Sequence, residues 1–180
     1  MLRARWLKPP ARMSPEQIPL PTFGPAPLVV GPIFVCFELS GEPQPKARHR
    51  SRIGWKYGKP FVMTYPEPDT VRYEKVIGQL AALHMRGKRP TDKPVALLVH
   101  VFKSIPKSWP ERDRQAALAG AIRPDGHVGD FDNYAKAASD GMNRIVYLDD
   151  CQVIDGRCLK FYSDRPALRV EVREFLPRNI

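Results

Sequence analysis

Hydrophobic and polar positions beyond residue 32 recur with periods that change in a definite order along the chain. Ile33-Phe34-Val35-Cys36-Phe37-Glu38-Leu39 is rich in β-branched and aromatic residues and ends at Ser40-Gly41, which predicts a first core strand. Trp55 to Met63, with Gly54 and Gly58, predicts a short hairpin arm. Val71, Val76, Ile77, Leu80, Leu83 and His84 fall close to helical spacing, so 70–87 reads as a helix with one core face and Asp69 as its N-cap. Val95 to Phe102 is nearly continuous in apolar residues and reads as a strand buried on both faces. A short helix from Pro110 to Ala119, stopped by Gly120, and a loop from Ala121 to Gly129 follow. The next helix runs from Asn133 to Arg144 with Asp132 as N-cap. A turn at Tyr147 to Asp150 leads into a strand, Gln152 to Phe161, in which Gly156 marks a bulge. Arg169 to Phe175 alternates cleanly and reads as a strand with one wet face, at the sheet edge. This order predicts an α+β domain: one small mixed sheet with helices packed on one face.

Residues 1–32 break the pattern. Eight of the chain's 20 prolines lie there, which forbids a long helix or a central strand. The segment reads as an extended or disordered tail, and 33–176 as the single folded domain of this 180-residue chain.

Charge adds a partner to this picture. The 29 Lys and Arg outnumber the 19 Asp and Glu, giving a net charge of +10 and favouring a polyanion, nucleic acid above all. Three cysteines without metal spacing point to a reducing compartment with free thiols, and Cys151 reads as a small strand side chain rather than a nucleophile. No apolar run approaches a membrane span, so a soluble cytoplasmic protein is expected.

Five of the acidic residues fall in two short segments, Gly129 to Asp140 and Leu148 to Val153. Asp130 and Asp132 flank one residue, and in an extended stretch both carboxylates point the same way. Such a pair suits a hard cation such as Mg²⁺, with Asp149-Asp150 supplying a further ligand. Lys136 lies one helical turn after Asp132, where it could stabilise charge on a phosphate or simply pair with Asp132 or Asp140. Taken singly these features are also caps and turns; together, in a basic chain, they point to a metal-dependent nuclease. His127 reads as an exposed loop histidine, with a phosphate or metal as its other option.

Asp130-Phe131-Asp132-Asn133-Tyr134-Ala135-Lys136, then Asp140, then Leu148-Asp149-Asp150-Cys151-Gln152-Val153, resembles the signature of RusA-type Holliday-junction resolvases, a family mostly encoded by bacteriophages and prophages. Gly41 to Arg48 and Tyr65 to Glu74 are similar to its N-terminal elements, and the resemblance spans roughly Ile33 to Phe175. It departs in having Gly129 where a proline often precedes the first aspartate. The resemblance implies a homodimeric, Mg²⁺-dependent endodeoxyribonuclease, with Mn²⁺ as a substitute ion, nicking four-way DNA junctions symmetrically in recombination and repair. It implies Asp130, Asp132 and Asp150 as catalytic carboxylates and metal ligands, Asp149 as an accessory ligand, and Lys136 as the essential lysine.

The cations Lys46, Arg48, His49, Arg50, Arg52, Lys56 and Lys59 cluster in and before the arm, interleaved with Trp55, Tyr57 and Phe61. They are expected to contact the DNA backbone, with an aromatic stacking on an unpaired base; a solvated loop with Trp55 packed on the core is the bland counterpart. Lys103, Lys107 and Arg123 extend the patch. A flap- or fork-selective nuclease would carry the same catalytic residues, and a non-catalytic DNA-binding protein would explain the charge without the acidic cluster.

Overall fold

The computed structural model describes residues 30–126 and 128–176. The strands are β1 Val30–Ser40, β2 Arg50–Lys56, β3 Lys59–Tyr65, β4 Val95–Ser104, β5 Val153–Ser163 and β6 Ala167–Phe175, and the helices are α1 Pro68–Met85, α2 Glu111–Leu118 and α3 Phe131–Met142. Four strands form one sheet in the order β1-β6-β4-β5, while β2 and β3 pair only with each other. β6 runs antiparallel to both β1 and β4, and β4 runs parallel to β5, so the sheet is mixed. This is the α+β architecture that the sequence pattern predicts. Among the described residues no helix is long and apolar enough to cross a membrane.

The core lies between one face of this sheet and the helices α1 and α3. Val35 and Phe37 of β1, Val95, Val99 and Val101 of β4, and Val170 and Val172 of β6 meet Ile77 and Ala81 of α1 and Tyr134, Ala138 and Met142 of α3. β4 alternates between buried and half-buried positions, because among the described residues the core helices cover only one of its faces and leave the other (Leu98, His100, Phe102) more open. The strand is therefore buried on one face only, and its unbroken apolar run reflects the aromatic cluster of His100, Phe102 and Phe161 on the open side.

Further expectations are corrected. β6 is not an edge strand; it sits between β1 and β4, and its alternation reports one open face rather than an open edge. β1 is an edge, which is why Pro32 is tolerated next to its register shift. The irregularity in β5 lies at Ile154, between the pairs Val95–Val153 and Ala96–Asp155, while Gly156 stays in register opposite Leu97. The helix starts also move: α1 is capped at Glu67 with Pro68 in its first turn, and α3 at Asp130. Pro68 sets the helical φ without needing its missing N–H, which draws the start ahead of Asp69. The proline-rich segment 1–29 lies outside the described residues, and Val30 to Pro32, expected in the tail, belong to β1.

α1 and α3 approach most closely where each carries a glycine. A Cβ on Gly141 would lie 2.8 Å from Ile77 Cγ2 and 2.9 Å from the Glu74 carbonyl oxygen, and one on Gly78 would lie 2.8 Å from the Gly141 carbonyl oxygen. Gly141→Ala should therefore lower stability: overpacking of about 1–3 kcal/mol outweighs a helix-propensity gain of about 1 kcal/mol. Urea denaturation checks this; an unchanged or raised midpoint would show that the helices can separate freely.

Candidate active site

α3 is amphipathic in a way that suits a catalytic element. Tyr134, Ala137, Ala138, Gly141 and Met142 are buried, while Phe131, Asp132 and Lys136 face outward. The chain enters the helix through Gly129, whose φ of 92° lies in the left-handed region and whose Cα is pressed against Pro45 and Tyr134. The Tyr134 hydroxyl donates to the Val128 carbonyl, and Lys160 Nζ donates to the Gly129 carbonyl at 3.0 Å. The backbone N–H of Lys46 donates to the Asn133 carbonyl at 3.0 Å, so the 42–46 loop braces the same turn from the other side.

These contacts open a groove of about 620 Å³ at the start of α3, lined by Asp130, Asp132 and Phe131 together with Asp125, Arg123 and Lys160. Asp130 and Asp132 thus share one cavity as expected, but not because the stretch is extended. Asp130 is the last extended residue and Asp132 lies in the first helical turn. The carboxylate of Asp130 makes no cap hydrogen bond, which leaves it free for a ligand. The positive end of the helix dipole sits behind both acids.

The remaining acids are placed elsewhere. Asp150 opens the 3-10 turn Asp150–Gln152 and does not line the groove. It stands near Tyr147, whose buried phenol is driven well above its usual range chiefly by burial, the Ser139 hydrogen bond opposing and Asp150 and Asp140 adding to the rise. Asp149 caps the same turn: its side chain accepts from Cys151 N at 3.0 Å while Gln152 Oε1 accepts from Asp149 N at 2.9 Å. These backbone and side-chain hydrogen bonds hold the Asp149 carboxyl below its ordinary range. Cys151 is exposed in this turn rather than in the strand, and its thiol is pushed up first by Asp149, as suits a non-nucleophile. His127 lies outside the described residues.

Among the described residues, no three of His, Cys, Asp and Glu stand close enough to hold a metal ion. The donor set still fits a hard ion. Mg²⁺ binds through one or two carboxylates and keeps several waters, and Asp130 and Asp132 offer two exposed carboxylates in an open groove with room for them. Arg123 and Lys160 supply positive charge on the same walls. Asp125 and Lys160 were not singled out by the sequence: the first reads as part of a Pro-Asp-Gly turn and the second as a polar strand position. Lys136 is exposed and makes no ion pair with Asp132; its Nζ lies 3.9 Å from Asp140 Oδ1.

The basic arm divides into two faces. Directly paired residues of a hairpin share a face. Arg50–Tyr65, Arg52–Met63, Gly54–Phe61 and Lys56–Lys59 lie on one, and Ser51–Thr64, Ile53–Val62 and Trp55–Pro60 on the other. All four cations of the strands therefore share a face with Phe61, while Trp55 belongs to an uncharged face. Trp55 is 71% exposed and is not packed on the core. The seven cations named from the sequence do not act alike. Arg48, His49, Arg52, Lys56 and Lys59 are exposed without ion pairs among the described residues, Arg50 pairs with Glu67, and Lys46 is half-buried against Glu74 and Asp140. Of the expected extensions, Lys103 pairs with Glu42, Lys107 is exposed, and Arg123 lies over the Phe161 ring at the groove.

A family model for the endodeoxyribonuclease RusA matches residues 40–173. The chain is also similar to the uncharacterized protein YqaN of Bacillus subtilis (strain 168), at 34% identity over 142 residues that cover 78% of this chain and 96% of that protein.

The left-handed turn before α3 yields a prediction. Gly129→Ala adds a Cβ 2.9 Å from Pro45 Cγ at positive φ, where a non-glycine residue costs about 1–2 kcal/mol. The variant should melt lower and lose cleavage beyond what its melting temperature explains. Wild-type behaviour in both would show that the turn does not set the groove.

Proposed function

The chain belongs to the RusA endodeoxyribonuclease family, and on that premise we propose that it is a Mg²⁺-dependent endonuclease that resolves four-way DNA junctions as a homodimer, by paired symmetrical nicks. The observation that carries this reading is the groove at the start of α3, with two free carboxylates on one wall and Arg123 and Lys160 beside them. A basic chain with one acidic groove is what phosphodiester hydrolysis needs: cations to hold phosphates and carboxylates to hold the ion that offsets their charge.

In this reading Asp130 and Asp132 hold Mg²⁺, with Mn²⁺ able to replace it. The bound ion supplies an activated water and neutralises phosphate charge. Arg123 and Lys160 hold the phosphate backbone at the groove. Lys136, one turn along α3, reaches outward to stabilise charge developing on the scissile phosphate. Asp150 belongs to the ligand set on the strength of the motif. Asp149, as the cap of the 3-10 turn, would hold Asp150 in place. Two copies related by a twofold axis match the symmetry of a four-way junction and place one groove on each of two opposing strands. The exposed cations of the arm and of the loop before it, Arg48, His49, Arg52, Lys56 and Lys59, follow the backbone, and Phe61 is the aromatic that shares a face with Arg52, Lys56 and Lys59. The bacterial cytoplasm, with a phage or prophage gene as source, is the corresponding setting.

Asp132→Asn should reduce junction cleavage by about three orders of magnitude or more while leaving junction affinity within a few-fold. Chelating Mg²⁺ should do the same to the wild type. Undiminished cleavage by Asp132→Asn would remove the assignment, and tight metal-free binding with no nicking in Mg²⁺ would favour a non-catalytic DNA-binding protein. Replacing Arg52, Lys56 and Lys59 together by Gln should weaken binding and lower the slope of log K against log salt by about one per lost phosphate contact. An unchanged slope would place the DNA elsewhere.

A further inference from the structure

Lys46 occupies a place that its membership in a basic loop does not suggest. Its side chain is only 16% exposed, and its ammonium donates to Glu74 of α1 at 2.6 Å and to Asp140 of α3. Burial acts to lower its pKa, but the hydrogen bonds and charges of Asp140 and Glu74 outweigh that and raise it. Asp140 is thereby shared between two cations. Lys46 contacts it from the interior, and Lys136, four residues earlier on the same helix, stands 3.9 Å away with its side chain 58% exposed.

The distances decide which lysine holds the carboxylate. An Asp and a Lys at i,i+4 on a helix attract each other whenever nothing else satisfies the acid. Here Lys46 satisfies it, and Glu74 and Asp140, which would otherwise repel across the α1–α3 contact, are bridged by one ammonium. We propose that Lys46 is a positioning residue for Lys136: by taking the close contact with Asp140 from within, it leaves the Lys136 ammonium only a loose ion pair at 3.9 Å with that carboxylate, from which its exposed side chain can turn to DNA. The inference rests on the reading of Lys136 as the charge-stabilising lysine. It also removes Lys46 from the DNA footprint and gives Asp140 a role.

The test is single-turnover cleavage of a synthetic four-way junction in Mg²⁺, with junction affinity measured separately in Ca²⁺, for wild type, Lys46→Met, Lys46→Met/Asp140→Asn and Lys136→Met. Lys46→Met should slow cleavage by about 10–100-fold with affinity within about threefold, because the released Asp140 draws Lys136 back. The double variant should recover to within about fivefold of wild type, since the unsatisfied carboxylate is gone. A rate equal to wild type, a loss confined to affinity, or a double variant as slow as the single would each overturn the proposal. Lys136→Met separates the two layers. If it cuts like wild type, the role of Lys136 fails and takes the positioning with it; if it is inactive while Lys46→Met is normal, only the positioning fails. Should Lys46→Met not fold, Lys46→Gln, which keeps a polar side chain in the loop but leaves the Asp140 charge unneutralised, carries the same comparison, with slow cleavage supporting the proposal and wild-type cleavage overturning it.

Discussion

The packing of α3 against the sheet is the constraint on which the rest of the structure depends. One helix has to bury Tyr134, Ala138 and Met142 against β4 and β5 and also present Asp132 and Lys136 to solvent. A period of 3.6 allows both, provided that the helix cannot roll. Rolling is blocked on two sides. On one, Gly141 and Gly78 bring α1 and α3 into backbone contact. On the other, Tyr134 and Lys160 tie the first turn to the Val128–Gly129 carbonyls. The groove follows from these contacts and needs no separate device to shape it.

The electrostatics are arranged in layers around that helix. Nearest the core, Lys46 bridges Glu74 and Asp140, and Lys103 pairs with Glu42, so each half-buried cation meets an acid. Such pairs add little net stability once desolvation is counted, but leaving one charge alone would be costly. Further out, Asp130 and Asp132 are exposed beside the positive end of α3, and Asp130 makes no side-chain cap hydrogen bond among the described residues. Exposed acids at a helix start in a chain of net charge +10 suit a site that takes a cation together with a polyanion.

Much of this was legible in the sequence. β1, β4, β6 and α1 were visible in their apolar patterns, because burial on one face imposes a period whatever the partner, while the arm and α2 were marked by their glycines and Pro110. That Asp130 and Asp132 share one groove was legible because a single residue separates them at a helix start. What was not legible depends on which elements meet. The alternation of Arg169 to Phe175 reports an open face and cannot say whether the strand is central or at an edge. The continuous apolar run of β4 could not distinguish a second covered face from an aromatic cluster in the open. Asp125 and Lys160 joined the groove only through folding. Lys46 read as one of seven cations, and its burial between Glu74 and Asp140 depends on residues 28 and 94 positions away.

The central claim is that this site acts on four-way junctions, and strand-resolved cleavage tests it most directly. A mobile four-way junction, a fork, a 5′ flap and a linear duplex, each labelled on every strand in turn, would be cut side by side in Mg²⁺. The account predicts nicks at matching positions on two opposing strands of the junction, at a rate well above that of the other three substrates. Equal or faster cutting of flaps or forks, or single unpaired nicks in the junction, would contradict it.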